Sequence, residues 1–230
     1  RRLAHLGARV TLVTFDKAED LRRREQMAAI RRDLGSRGIR WISLRYHQRP
    51  LAPAKVYDAL TGWISAIAAQ FRERTAIVHA RTFVGGLMGL ALARLLRARL
   101  VYHNEGFYPD EQADGGVWAA GSVPHRVARR LEMELYTRAD GIIALSERAR
   151  ATIEALPPIR LKGTPVIVVP SAVDLDQFRC PEARGSVRRE GLRLIYTGRV
   201  GARYRLDSAA RFAAVAAEEL GADGAYFRVH

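Results

Sequence analysis

"AIVHARTFVGGLMGLALARLLRARLVYH", residues 76–103, decides the fold. A short apolar run, "AIVHA" (76–80), reads as a strand; a stretch with helical patterning follows over 83–97; a second run, "RLVYH" (99–103), reads as another strand. Two strands joined by a crossover helix are a βαβ unit, and the crossover makes them parallel. The same rhythm extends in both directions. Strands are expected at 9–15, 39–44, 140–146 and 165–170, with helices at about 21–36, 53–73, 122–138 and 147–156. Near-continuous apolar strands imply a parallel sheet covered on both faces, a Rossmann-like α/β domain. Gly7, Gly35 and Gly38 fall where helices would stop, and Pro53 and Ser122 where they would start. "RRLAHLG" (1–7) reads as a helix feeding a strand, so the first strand of the pattern is expected to be missing.

After Pro170 the periodicity lapses. Residues 171–190 carry Pro, Gly and charges, as an inter-domain linker would. Beyond it a strand at 192–198, a helix from about 204 to 220 and a strand at 225–230 restart the βαβ rhythm. The expected organisation is therefore one Rossmann-like domain over 1–170, a linker over 171–190, and the truncated start of a second such domain over 191–230.

The 230 residues are 48% hydrophobic, enough for a sizeable core. No run of about 18 apolar residues marks a membrane span, and no signal peptide is read at the N-terminus. A single cysteine, Cys180, excludes an internal disulfide and fits a reducing cytoplasm. The net charge of +14 raises the question of nucleic acid, but the basic residues are spread in twos and threes beside acids. Lysine occurs only at Lys17, Lys55 and Lys162, so arginine carries the charge. Solvated helix faces, or peripheral contact with an anionic membrane, suit this distribution better than nucleic acid.

Ligands of open α/β sheets bind at the carboxyl ends of the strands. "HNEGFYPDEQADGG" (103–116) lies there, with Glu105, Asp110, Glu111 and Asp114 in one stretch. Such carboxylates could hydrogen-bond sugar hydroxyls or act in proton transfer; they could equally be a solvated loop of turn-forming residues. His79 and Arg81 end the third strand, where Arg81 could meet an anion and His79 could be structural. Ser146 reads as a helix N-cap. "YTGRVGARYRLD" (196–207) reads either as a phosphate-binding strand–turn–helix or as an ordinary turn, since no Walker A or G-x-G-x-x-G pattern matches. No clustered His, Cys and Asp site is seen, so no metal is expected.

Five segments taken in order resemble a family. "VPSAVDLDQF" (169–178) is similar to its inter-domain P-N-G-V-D-x-x-x-F segment, and "LIYTGRVGARYRLD" (194–207) to the opening of its donor-binding domain. "VYHNEGFYPDEQADGG" (101–116), "IVHAR" (77–81) and "ADGIIALSERAR" (139–150) match three further features. The family is that of the retaining glycosyltransferases of GT-B fold, family 4 type. The resemblance implies transfer of a sugar from a nucleotide-diphosphate donor to a glycan or lipid-linked acceptor, with retention of configuration and without a cofactor. It places the donor diphosphate on Gly198, Arg199, Gly201 and Arg205, the catalytic positions at His103 and Glu105, and the acceptor side at His79, Arg81, Asp110 and Glu111.

The chain departs from the pattern in several places. Ser171 and Ala172 replace Asn-Gly, and Glu105 stands where the family has His or Arg. The Gly-rich loop after the first strand and the distal Glu-x7-Glu are not found in the chain, so it is expected to be a fragment with weak or no transferase activity. A non-catalytic glycan- or anion-binding module and a sugar-nucleotide epimerase of the same fold are the alternatives.

Overall fold

The computed structural model describes residues 2–47, 51–70, 74–173, 175, 178, 192–197, 206–220 and 225–229. Along the chain come α1 (Arg2–His5), β1 (Val10–Asp16), α2 (Ala18–Arg22), α3 (Arg24–Ser36), β2 (Ile39–Arg45) and α4 (Leu51–Gln70). Then follow β3 (Ile77–Arg81), α5 (Phe83–Leu96), β4 (Arg99–His103), α6 (Tyr108–Asp114), α7 (Val123–Arg138) and β5 (Gly141–Ala144). The last elements are α8 (Glu147–Glu154), α9 (Pro157–Lys162), β6 (Val166–Val168), β7 (Leu192–Tyr196), α10 (Leu206–Leu220) and β8 (Ala225–Val229). Two compact units result: Arg1–Glu105 with Glu134–Val168, and Gly106–Met133 with Val169–His230.

The first unit holds two sheets, both parallel. β1 pairs with β2 from Val10 opposite Ile39 to Asp16 opposite Arg45. β3, β4, β5 and β6 form the other sheet in that order. Among the described strands, β1 and β3 each have one ladder partner only. Leu100 and Tyr102 of β4 and Ile142 and Ala144 of β5 are buried on one face, where Leu135 and Tyr136 of α7 are also buried. Helix α5 lies close against this face because two of its glycines permit it. A Cβ on Gly86 would fall 2.7 Å from Tyr102 Cε2, and one on Gly89 would overlap Ala80 of β3. Asp140 fixes the register where β4 and β5 begin: its N–H donates to Leu100 O (2.8 Å) and its carboxylate accepts from Leu100 N–H (2.8 Å).

In the smaller sheet the Asp16 carboxylate ties both strands together, accepting from Thr14 Oγ1 (2.9 Å) on β1 and Ser43 Oγ (2.5 Å) on β2. Trp41 Nε1 donates to Thr14 Oγ1 at 2.8 Å. Just past β2, buried Asp58 of α4 accepts from the His47 backbone N–H (2.8 Å) and contacts His47 Nδ1 (2.6 Å). The chain leaving Arg45 is thus held on α4 rather than left to solvent.

In the second unit β7 and β8 pair in parallel, from Leu192 opposite Ala225 to Tyr196 opposite Val229, and α10 packs on both. This is the second βαβ unit that the sequence leads one to expect.

Two local expectations are revised. The helix expected over 21–36 is two helices, broken at Arg23, whose ψ of 64° leaves the helical region. The stretch read as a loop over 103–116 contains α6, with Pro109 in its first turn and Asp110 and Glu111 beside its positive end.

Candidate functional site

Four of the residues singled out in the sequence meet at the carboxyl ends of β3 and β4. Strand alternation sends Val78 and Ala80 toward α5, so His79 and Arg81 lie on the opposite face of the sheet. In β4 the parity is the same: Tyr102 faces α5, and His103 does not. The parallel register sets Arg81 opposite His103 and leaves His79 two residues back on the same face. The two imidazoles stack, with 5.6 Å between centroids and 5° between planes. Arg81 Nε and Nη2 both reach Glu105 Oε1, an ion pair joining the ends of the two strands.

The electrostatics follow from this packing. Burial, and after it the Arg81 charge, holds the His79 imidazole below its ordinary value of 6.5. For His103 burial again comes first, followed by His79 and Arg81, with Glu105 acting the other way; the net direction is down. Both shifts favour the neutral ring. His103 Nε2 is buried and meets no hydrogen-bond partner. A neutral imidazole beside a guanidinium–carboxylate pair can accept a proton from, or hydrogen-bond to, a hydroxyl brought to the sheet edge.

Two supporting residues went unnoticed in the sequence. Asn104, buried, donates through Nδ2 to Tyr136 Oη (3.2 Å), and its backbone N–H donates to Ile143 O (2.9 Å), so the exit from β4 is fixed. Thr82 has φ 67° and ψ 166°, a region that a β-branched residue rarely enters. Its N–H donates to His103 O (3.3 Å) and its hydroxyl accepts from Gly85 N–H (3.3 Å), capping α5. A Thr directly before an apolar helical run is an N-cap candidate in a sequence; its strained backbone leaves no such mark.

Asp110 and Glu111 belong to the second unit, where each has an occupation of its own. Asp110 accepts from Arg129 Nη1 (2.9 Å) and contacts His125 Nε2 (3.3 Å). The Glu111 carboxylate lies against Gly106 so closely that a Cβ there would overlap it. In the same unit Glu132 of α7 is 2% exposed, with Oε2 3.7 Å from Arg129 Nη1 and Oε1 without a hydrogen-bond partner among the described residues. Burial pushes its carboxyl up to about 7, with Asp110 and Glu111 adding to the rise and Arg129 and the Tyr108 backbone N–H opposing it. Glu132 was not anticipated; an acid two residues from Glu134 on a helix full of arginines resembles any surface ion-pair residue.

Gly198, Arg199, Gly201 and Arg205 lie outside the described residues. Ser146 caps α8 as expected, its hydroxyl accepting from Ala149 N–H (3.2 Å). Among the described residues no three His, Cys, Asp or Glu side chains group to hold a metal ion, and no helix is long and apolar enough to cross a membrane.

No curated protein matches the chain. Among solved structures it is similar to Glycyrrhiza uralensis UGT73P12, complexed with glycyrrhetinic acid 3-O-monoglucuronide, at TM-score 0.51 and 15% identity over 87% of this chain and 52% of that one. It is also similar to Anabaena Alr3699/HepE in complex with UDP, at TM-score 0.45 and 13% identity over 88% of this chain and 59% of that one. The chain thus spans between half and three fifths of the length of these structures. The first likeness supports the α/β fold with parallel sheets and carries nothing about ligands. Residues 1–177 match the sequence profile of Glycosyltransferase Family 4, which takes in the stacked histidines, the Arg81–Glu105 pair and the α6–α7 carboxylates. The chain belongs to glycosyltransferase family 4.

Proposed function

We propose that this chain is the acceptor-side portion of a glycosyltransferase, followed by the opening of its donor domain, and that the enzyme transfers a sugar from a nucleotide-diphosphate donor with retention of configuration. The observation that carries the reading is the family match over residues 1–177, on a sheet whose edge gathers His79, Arg81, His103 and Glu105. A neutral His103 accepts a hydrogen bond from the acceptor hydroxyl and orients it for attack on the anomeric carbon. The Arg81–Glu105 pair offers a donor face and an acceptor face to neighbouring sugar hydroxyls, as polyol recognition requires.

Gly198, Arg199, Gly201 and Arg205 are proposed to hold the donor diphosphate. The leaving group gains negative charge as the glycosidic bond breaks, so fixed guanidinium groups stabilise the transition state more than the ground state. The acceptor proton leaves with the diphosphate, and no metal or organic cofactor enters the balance. The proposed setting is the cytoplasm, with basic helix faces allowing contact with an anionic membrane surface.

The test is calorimetric titration of the protein with UDP, GDP and ADP and their glucose conjugates, repeated with Arg199→Ala. Saturable binding of one nucleotide, weakened about tenfold or more by the substitution, is expected. Absence of binding to all of them would remove the donor half of the proposal.

A further inference from the structure

A cavity of about 330 Å³ is lined by Ala18, Leu21, Arg22, Arg24 and Arg45, none of them part of the histidine site. Its place in the fold is set by β1 and β2. Ala18 and Leu21 lie on α2, two residues past the carboxyl end of β1; Arg24 begins α3; Arg45 is the last residue of β2. Ligands of parallel sheets collect at such strand ends. The exit from β2 is held by the double contact of His47 with Asp58, which limits where the Arg45 side chain can travel.

The chemistry of the lining is one-sided. Among the described residues Arg22, Arg24 and Arg45, like other exposed arginines of the chain, form no ion pair, and these three come together around one cavity. Acids are not lacking nearby, since Glu19, Asp20 and Glu25 stand on the same two helices; Glu19 pairs with Lys17 instead. Three exposed guanidinium groups line one cavity beside Ala18 and Leu21 with no carboxylate in the lining, so an anion entering it meets hydrogen-bond donors only. Guanidinium forks match the oxygen spacing of a phosphoryl group, and the volume exceeds what that group alone needs.

We propose that this cavity binds a phosphoryl group, and that the ligand is a phosphorylated acceptor whose phosphate is anchored by Arg22, Arg24 and Arg45. The phosphoryl site stands on the cavity alone; naming its ligand as the acceptor rests on the glycosyltransferase reading.

The experiment is calorimetric titration of the protein with glycerol 3-phosphate, inorganic phosphate and glycerol at fixed ionic strength. It is repeated on Arg22→Ala, Arg45→Ala, Arg45→Lys and, as a control, Arg148→Ala on the exposed surface of α8. Saturable binding of glycerol 3-phosphate is expected, about tenfold weaker in each cavity alanine variant, less affected in Arg45→Lys and unchanged in Arg148→Ala. Glycerol should not bind. No saturation, or equal weakening by Arg148→Ala, overturns the site, because the effect would then be one of overall charge. Binding of inorganic phosphate but not of glycerol 3-phosphate overturns the acceptor assignment. Circular dichroism of each variant separates lost binding from lost fold. The nucleotide titration is independent, so a failed donor site with an intact phosphoryl site would remove the donor half of the transferase reading and leave the cavity.

Discussion

The imidazoles of His79 and His103 lie face to face within 5° of parallel, on the side of the sheet that α5 leaves open. Two cationic rings so placed would repel one another, and both are kept below the ordinary histidine value, by burial first. A group whose folded value is depressed binds fewer protons than its unfolded counterpart. Its contribution is fully present above about pH 6.5, the unfolded value, and is lost as pH falls from there through the lower folded value. Replacing His103 with Phe, which keeps a ring beside His79, should therefore flatten the acid limb of the stability curve. Urea midpoints at pH 5 and pH 7.5 check this; an unchanged difference between them in the variant would count against the neutral pair.

Glu132 works in the opposite direction. With its carboxyl up at about 7, the folded chain holds a proton that the unfolded chain releases near 4.5. Stability from this group is greatest below 4.5 and declines as pH rises through 7, by about 3 kcal/mol at most. Glu132→Gln keeps an acceptor for the Tyr108 N–H and should remove this slope. The difference between variant and parent across pH 5 to 8 isolates it from the histidines.

Gly86→Ala should destabilise although alanine is the better helix former. The gain in propensity is about 1 kcal/mol, whereas forcing a methyl against Tyr102 and Leu135 costs about 1–3 kcal/mol. Gly85→Ala, whose methyl would meet only Thr82 Oγ1 at 3.3 Å, is the matched control and should not lose stability. Thermal melts of the two variants decide the point.

At Thr82 the order of stability should be Gly, then Thr, then Ala. Glycine relieves a backbone strain of about 1–3 kcal/mol and gives up only a few tenths as a cap. Alanine keeps the strain and loses the cap. Chemical denaturation of the three proteins gives the ranking directly. If glycine instead comes last, the strain is not stored there.

The strand–helix rhythm was legible because each element carries its own signal: β-branched runs for β3 to β6, leucine-rich helical spacing for α5, and Ser146 at the start of α8. α6 was missed although Pro109, Asp110 and Glu111 are good first-turn residues, because the glycines around them suggest turns equally well. Pro157 and Pro158 lie just past the helix expected over 147–156 and begin α9, proline being welcome in a first helical turn. The His79–His103 stack needed the register of β3 against β4, which only the pairing supplies. The arginine cavity needed more still, since Arg45 is twenty-one positions from Arg24 and no local pattern ties them.

The free sides of β1 and β3 also bear on how the protein behaves at high concentration. Leu12 of β1 and Ile77 of β3 are 39% and 57% exposed, on strands that each have a single ladder partner among those described. Backbone groups in such a row are open to a strand from another molecule. Polydispersity in light scattering should grow with protein concentration, and a lysine on either strand, at Leu12 or Ile77, should suppress it.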